Sequence, residues 1–291
     1  MGEIMLESSA FVDALPDVDT TVVVDDVRRR LGGPAINMAL HLTSLGERVR
    51  LAGVMGRWDE AALRELAVRA RLDASHIAWI EGSSDVLFYF KTDAHYSGIY
   101  QRAPLPADLA EYYAQLSAST DILLLAGSRH VSIRRIFADI AKRSSARWKV
   151  FAPNYAVYLY TGDELASILP HADLVSFNEA EAQAVVSKLG LESIGSLRRL
   201  TRAAILVTRS SLGASLIHEA IELDLPALSG RAGDVIGAGD AFVSGMVHGL
   251  SQGRSLADAA DLGAHAAATF VKADSPVLLG ECGEFVQAAT R

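Results

Sequence analysis

Short apolar runs alternate with longer stretches of helical period along most of this chain. Val49 to Val54, Ile122 to Ala126, Lys149 to Ala152, Leu174 to Phe177 and Ile205 to Thr208 read as strands, and residues 59–70, 132–145, 162–169 and 178–188 read as helices between them. That alternation predicts an α/β fold with a mostly parallel central sheet and helices on both faces. Two regions depart from it. Thr21 to Asp26, and Asp85 to Tyr100 with Phe88, Tyr89, Phe90, Tyr96 and Tyr100, read as strands without an intervening helix. After Gly239, Phe242, Met246 and Leu250 recur at four-residue spacing, the stripe of a helix facing a core. No repeat, low-complexity tract or long linker interrupts the pattern, so one domain is expected over residues 1–291.

Composition narrows the class. With 291 residues, 50% of them hydrophobic, the chain can bury a sizeable core. Its net charge of −8 argues against extended nucleic-acid binding, which needs a basic surface. The single cysteine, Cys282, excludes an intrachain disulfide, suits a reducing cytosol and has no neighbouring His to make it a nucleophile. The eight His are scattered without zinc-binding spacing. No apolar run approaches the roughly 18 residues of a membrane span, and the first residues lack a signal-peptide pattern. A cytoplasmic protein with no membrane or nucleic-acid partner is expected.

Three segments carry candidate chemistry. Asp234, Gly237, Ala238, Gly239 and Asp240 fall within seven positions just before the late helix. Small residues at a helix start free backbone N–H groups to face an anion, which the helix dipole also favours. Asp240, in the first turn, could accept a proton from a hydroxyl beside that anion, an arrangement suited to phosphoryl transfer. The same residues could instead be a plain capped turn. A Walker-type loop is absent, because no Gly-Lys-Ser or Gly-Lys-Thr occurs, and Phe242 breaks the dinucleotide fingerprint.

The second segment is Gly32-Gly33-Pro34-Ala35-Ile36-Asn37. The glycines permit close backbone approach, Pro34 suits a first helical turn, and Asn37, one turn in, can both donate to and accept from a polyol. A packing glycine pair with a buried Asn would read the same way. The third is Asn178-Glu179-Ala180-Glu181, directly after the strand Leu174 to Phe177. Asn178 and Glu181 share one face at the strand's C-terminal end, where they could hold the water shell of Mg²⁺ or simply complement a helix start.

In this order the three segments resemble the ribokinase-like (PfkB) carbohydrate kinase family, which carries an early Gly-Gly-x-x-x-Asn, a mid-chain Asn-x-x-Glu and a late Gly-Ala-Gly-Asp. The resemblance extends to Ser8 to Asp13, similar to the segment whose Asp holds sugar hydroxyls, to Asn154 in Ala152-Pro153-Asn154, and to Thr208 and Gly213 in a nucleotide-binding turn. It implies Asp240 as general base, with Gly237, Ala238 and Gly239 as the anion hole. It implies Asp13, Gly32, Gly33, Asn37 and Asn154 at the acceptor. Thr208, Gly213, Asp234 and the alanines Ala264, Ala267 and Ala268 would border the nucleotide. Asn178 and Glu181 would organise Mg²⁺ through water. The implied fold adds a β lid, formed by about 14–31 and 85–103, that closes over the acceptor and could form a homodimer.

Some positions depart from the family. Val235-Ile236 replaces the usual Thr-Thr, which argues against activation by a monovalent cation such as potassium; Ser210 replaces a Gly, Arg57-Trp58-Asp59 follows Gly56, and Ala152 stands for an Asp. The expectation is an ATP- and Mg²⁺-dependent kinase acting on a hydroxymethyl group of a small sugar. A nucleoside kinase of the same fold is the alternative, suggested by the aromatic lid and by the segment Asn154 to Leu165. A non-catalytic sugar or nucleotide sensor is the alternative from another class, suggested by the substitutions at 210, 235 and 236.

Overall fold

The computed structural model describes residues 1–15, 17, 19, 21–92, 96–106, 109–117, 119–219, 221–228 and 237–272. From the amino end, β1 (Met5–Phe11) and β2 (Arg28–Gly32) precede α1 (Pro34–Ser44), β3 (Arg50–Gly56), α2 (Glu60–Ala70) and β4 (Asp73–Ile80). Next come β5 (Asp85–Lys91), β6 (Tyr96–Gln101), α3 (Leu109–Ser117), β7 (Ile122–Ala126), α4 (Val131–Arg143) and β8 (Trp148–Ala152). The remainder is α5 (Gly162–Ile168), β9 (Leu174–Asn178), α6 (Glu179–Lys188), β10 (Ala204–Thr208), β11 (Ala214–His218), β12 (Ile221–Leu225), α7 (Ala238–Ser251) and α8 (Leu256–Lys272).

A six-stranded sheet runs β12-β11-β10-β9-β8-β7. Its members β7 to β10 are parallel and β11 and β12 antiparallel, so the sheet is mixed at one edge. The parallel members are near-continuous apolar runs because both of their faces are covered: four of the five residues in β9 and in β10 are buried. Thr208 pairs in register with Asn178, so the loops after β9 and β10 leave from one edge of the sheet. Beyond β7, the backbone of Met1–Glu3 joins the sheet: Met1 O accepts from Ala126 N at 2.8 Å, and Gly2 N donates to Ala52 O of β3 at 3.2 Å. The parallel pair β3-β4 lies on its far side.

The small sheet has the order β2-β1-β5-β6. Asp85 to Tyr100 supplies two of its strands, as the aromatic pattern predicts. Thr21 to Asp26, expected as a strand, has no regular structure; the strand lies later, at Arg28–Gly32, although three arginines do not resemble one. Pairing with β1 decides this, because Glu7 stands directly opposite Arg30 and neutralises it. The hydrophobic pattern also gives no sign of β4, whose side chains are mostly half-exposed, or of the β11-β12 hairpin.

Helix α7 is buried from Asp240 through Leu250. It lies against α8 through glycines: a Cβ on Gly245 would come within 2.6 Å of the Ala266 methyl, and one on Gly263 within 2.6 Å of the Phe242 ring. Phe242, Met246 and Leu250 enter the core, as the spacing predicts.

Candidate active site

Helix α7 starts at Ala238 because Gly237 takes a left-handed conformation, φ 99°, and turns the chain into it. The first helical hydrogen bond runs from Ala241 N to Gly237 O at 2.9 Å, leaving the amides of Ala238, Gly239 and Asp240 ahead of the ladder. Among the described residues outside the helix backbone, no heavy atom lies within 4 Å of where a Gly239 Cβ would stand.

Asp240 is 6% exposed, yet both its oxygens are held. Asn37 Nδ2 donates to Oδ2 at 3.0 Å, and Asn154 Nδ2 donates to Oδ1 at 3.0 Å. Burial pushes its carboxyl up to about 6, with the Glu7 charge adding to the rise and the two amide donors and Arg30 opposing it. Such a carboxylate is ionised near neutrality and basic enough to take a proton there. Asn154, left-handed at φ 51°, also buries its Oδ1 without a partner among the described residues, an acceptor suited to a hydroxyl.

The glycine pair makes room for a carboxylate. A Cβ on Gly32 would fall 2.2 Å from the Glu7 side chain, and one on Gly33, at φ 99°, 2.7 Å from Glu3 O. Glu7 Oε1 accepts from Gly33 N at 3.0 Å, while Oε2 accepts from Arg30 Nε at 2.9 Å and pairs with Nη2 at 2.7 Å. Thus Asn37 and Asn154 meet at Asp240, and Gly32 and Gly33 lead directly into the helix that carries Asn37. Asp13 stands apart, exposed beyond the end of β1, and no contact among the described residues ties it to Asn37 or Asp240. Glu7 and Arg30 escaped the sequence reading, and the only signal for them is the alternation of Met5, Glu7 and Ser9 on one face of β1.

Asn178 caps α6: its Oδ1 accepts from Glu181 N at 2.8 Å, and Glu181 Oε2 accepts from Asn178 N at 2.9 Å. This is the plain helix-start arrangement, but Glu181 is also buried, and burial, with the Asp240 charge adding, pushes its carboxyl up to about 7. A carboxylate raised by burial and by another's charge is eased by a nearby cation, which is the charge that Mg²⁺ held through water would bring. Among the described residues no cluster of three or more His, Cys, Asp or Glu could bind a metal by itself.

Thr208 ends β10 beside Asn178, and residues 209–213 close a tight loop in which Arg209 N donates to Gly213 O at 2.7 Å. Ser210, where a Gly was expected, adopts φ 51°. Ala264 and Ala267 pack half-buried against the core from α8, and Ala268, also half-buried, follows on the same helix. Asp234, Val235 and Ile236 lie outside the described residues.

Behind the glycine pair lies a polar network that the sequence does not announce. The Tyr100 hydroxyl stands 2.8 Å from Glu3 Oε1 and 2.6 Å from Asp85 Oδ2, His130 Nε2 meets Asp85 at 2.9 Å, and Arg129 pairs with Glu3. It fastens β5 and β6 to the main body. Burial pushes both the Glu3 carboxyl and the Tyr100 hydroxyl up.

A mixed six-stranded sheet flanked by helices, together with a separate four-stranded sheet, defines a ribokinase-like α/β fold. The chain belongs to the pfkB family of carbohydrate kinases, which it matches over residues 1–277, and is thus a kinase of that family, an ATP phosphotransferase. A nucleoside kinase of Thermoplasma acidophilum is 26% identical over 263 residues, covering 88% of this chain and 82% of that protein. The fold superposes with a TM-score of 0.81 on Burkholderia thailandensis nucleoside kinase in complex with ADP-inosine, at 20% identity over 98% of this chain and 94% of that one. It superposes with a TM-score of 0.82 on Thermotoga maritima ribokinase, at 21% identity over 99% of this chain and 97% of that one. Among the described residues no helix is long and apolar enough to cross a membrane.

Proposed function

We propose that this kinase phosphorylates a hydroxymethyl group of a small sugar, with Asp240 as general base. The observation that carries the reading is a buried carboxylate, pushed up to about 6 and held by Asn37 and Asn154, in the first turn of a buried helix. An Asp240 oxygen takes the proton of the acceptor hydroxyl as its oxygen bonds to the γ-phosphorus of ATP; the bond to the bridging oxygen breaks and ADP leaves. The amides of Ala238 and Gly239 face the negative charge on the transferred group. Asn154 Oδ1 accepts from the acceptor, and Asn37 orients the base. Thr208, Gly213, Ala264, Ala267, Ala268 and Asp234 border the nucleotide. Asn178 and Glu181 would hold Mg²⁺ through water, where it would supply positive charge to the phosphates. Residues of the small sheet cover the acceptor and exclude water. The protein works in the cytoplasm.

One observation favours a nucleoside over a free sugar. Phe11, 60% exposed, lies on the same face of β1 as Glu7 and offers a ring on which a base could stack. The relatives named nucleoside kinases point the same way. The test is ADP release from Mg·ATP across pentoses, hexoses, keto-sugars and nucleosides. Turnover with free sugars alone establishes the primary reading, turnover with nucleosides alone the second, and none with any acceptor overturns both.

A further inference from the structure

A cluster of buried polar groups joins the small sheet to the body of the molecule, and its protons do not balance. The Tyr100 hydroxyl of β6 lies 2.8 Å from Glu3 Oε1 and 2.6 Å from Asp85 Oδ2. A phenol carries one proton and can donate to only one of two carboxylates. Donated to Asp85, that proton leaves the phenol oxygen facing Glu3 lone pair to lone pair; donated to Glu3, it leaves the same conflict at Asp85. Both contacts become hydrogen bonds only when one of the carboxyls holds a proton of its own.

The other charged and titratable groups that face the cluster are already committed. Arg129 N donates to Glu3 Oε1 at 2.9 Å, and the Arg129 guanidinium pairs with Glu3 Oε2. His130 Nε2 lies 2.9 Å from both Asp85 oxygens, and Ala103 N donates to Asp85 Oδ1 at 2.6 Å. Behind them, Arg134 of α4 donates to Arg129 O at 3.0 Å, pairs with Glu164 of α5 and lies over the Tyr160 ring. Glu3 and Asp85 are buried, so bulk water does not screen one from the other. Burial pushes the Glu3 carboxyl above its usual range, against the opposing pull of Arg129 and Tyr100, and the Asp85 charge adds to the rise. The cluster also touches the proposed site: Glu3 O accepts from Ala35 N at 3.3 Å, at the start of the helix that carries Asn37.

We propose that Glu3, Tyr100 and Asp85 share one proton beyond the phenol's own, and that Tyr100 is thereby a positioning residue. With the extra proton in place, the base of the β5-β6 hairpin is latched to the body; its loss to water as pH rises sets two carboxylates against one oxygen and releases the hairpin. The effect on the reaction rests on the reading that the small sheet covers the acceptor. The unfolded Glu3 carboxyl has its ordinary value of 4.5 and the folded one a higher value. The latch is therefore complete below 4.5 and is lost as pH rises through the folded value.

The test follows amide exchange at Ser97 to Tyr100, corrected for its intrinsic pH dependence, from about pH 5 to about pH 9. Glu3→Gln keeps the shape of the side chain and brings an N–H donor at every pH, whereas Tyr100→Phe removes the bridge. In the parent, protection should fall at least about tenfold across the range; in Glu3→Gln it should change by less than about twofold, and in Tyr100→Phe it should be low throughout. The acceptor KM of the parent should rise at least about threefold relative to that of Glu3→Gln over the same range. Level protection in the parent, or an equal fall in both variants, would overturn the latch. A fall in protection with no change in the KM ratio would overturn the positioning role. Exchange needs no substrate, so if no acceptor is turned over, the proposed reaction falls while the latch is still decided.

Discussion

The proposed acceptor and nucleotide sides of the site are built by different means. On the acceptor side, Asp240 is gripped by side chains 203 and 86 residues away in sequence, and Glu7 by Gly33 and Arg30. On the nucleotide side the principal contacts are local: the Asn178-Glu181 cap spans three residues and the loop of residues 209–213 closes on itself. A base must be fixed in position and in pKa before the acceptor arrives, and only converging side chains do both. A phosphate chain is large and charged, and backbone amides with small residues serve it well.

The contrast predicts unequal responses to substitution. The largest belongs to Asp240→Asn, which should lower kcat by at least about a hundredfold with the fold retained; near-normal turnover would reduce Asp240 to a helix cap. Next is Asn37→Ala. In the parent, kcat/KM for the acceptor should fall about tenfold per pH unit below about 6, as Asp240 becomes protonated. Losing one donor to the carboxylate should move that limb to higher pH and raise the acceptor KM about tenfold, leaving the KM for ATP within about twofold. If both KM values rise equally, the acceptor side does not end at Asn37.

The smallest effect lies on the nucleotide side. Glu181 is protonated more readily in the fold, at about 7, than in the unfolded chain, at 4.5. The folded state therefore holds more protons between those values, and this group costs stability as pH rises through them. Glu181→Gln keeps an oxygen for Asn178 N, so it should raise the melting temperature by a few degrees at pH 8 and by nothing near pH 4. A rise of equal size at both pH values would show that burial of charge is not the cause.

The same contrast explains what could be read from the sequence. The cap at 178–181, the glycine pair and the helix start at 237–240 are set by neighbouring residues, and their spacing reveals them. Ile122 to Ala126 is legible because burial on both faces leaves an unbroken apolar run. Glu7, Arg30 and the Tyr100 network become partners only when β1, β2 and β5 meet, and no spacing carries that information. For the same reason 28–32 rather than 21–26 forms the strand.

Helix α7, closed off along its length by glycine contacts with α8, bears on how this protein could change. A methyl group added at Gly245 or Gly263 has nowhere to go except into helix displacement, which would carry Asp240 with it. New acceptor preferences are therefore more accessible by altering the small sheet, where Phe11 and Arg30 reach solvent, than by altering the helix beneath. The machinery can stay fixed while its clientele is exchanged.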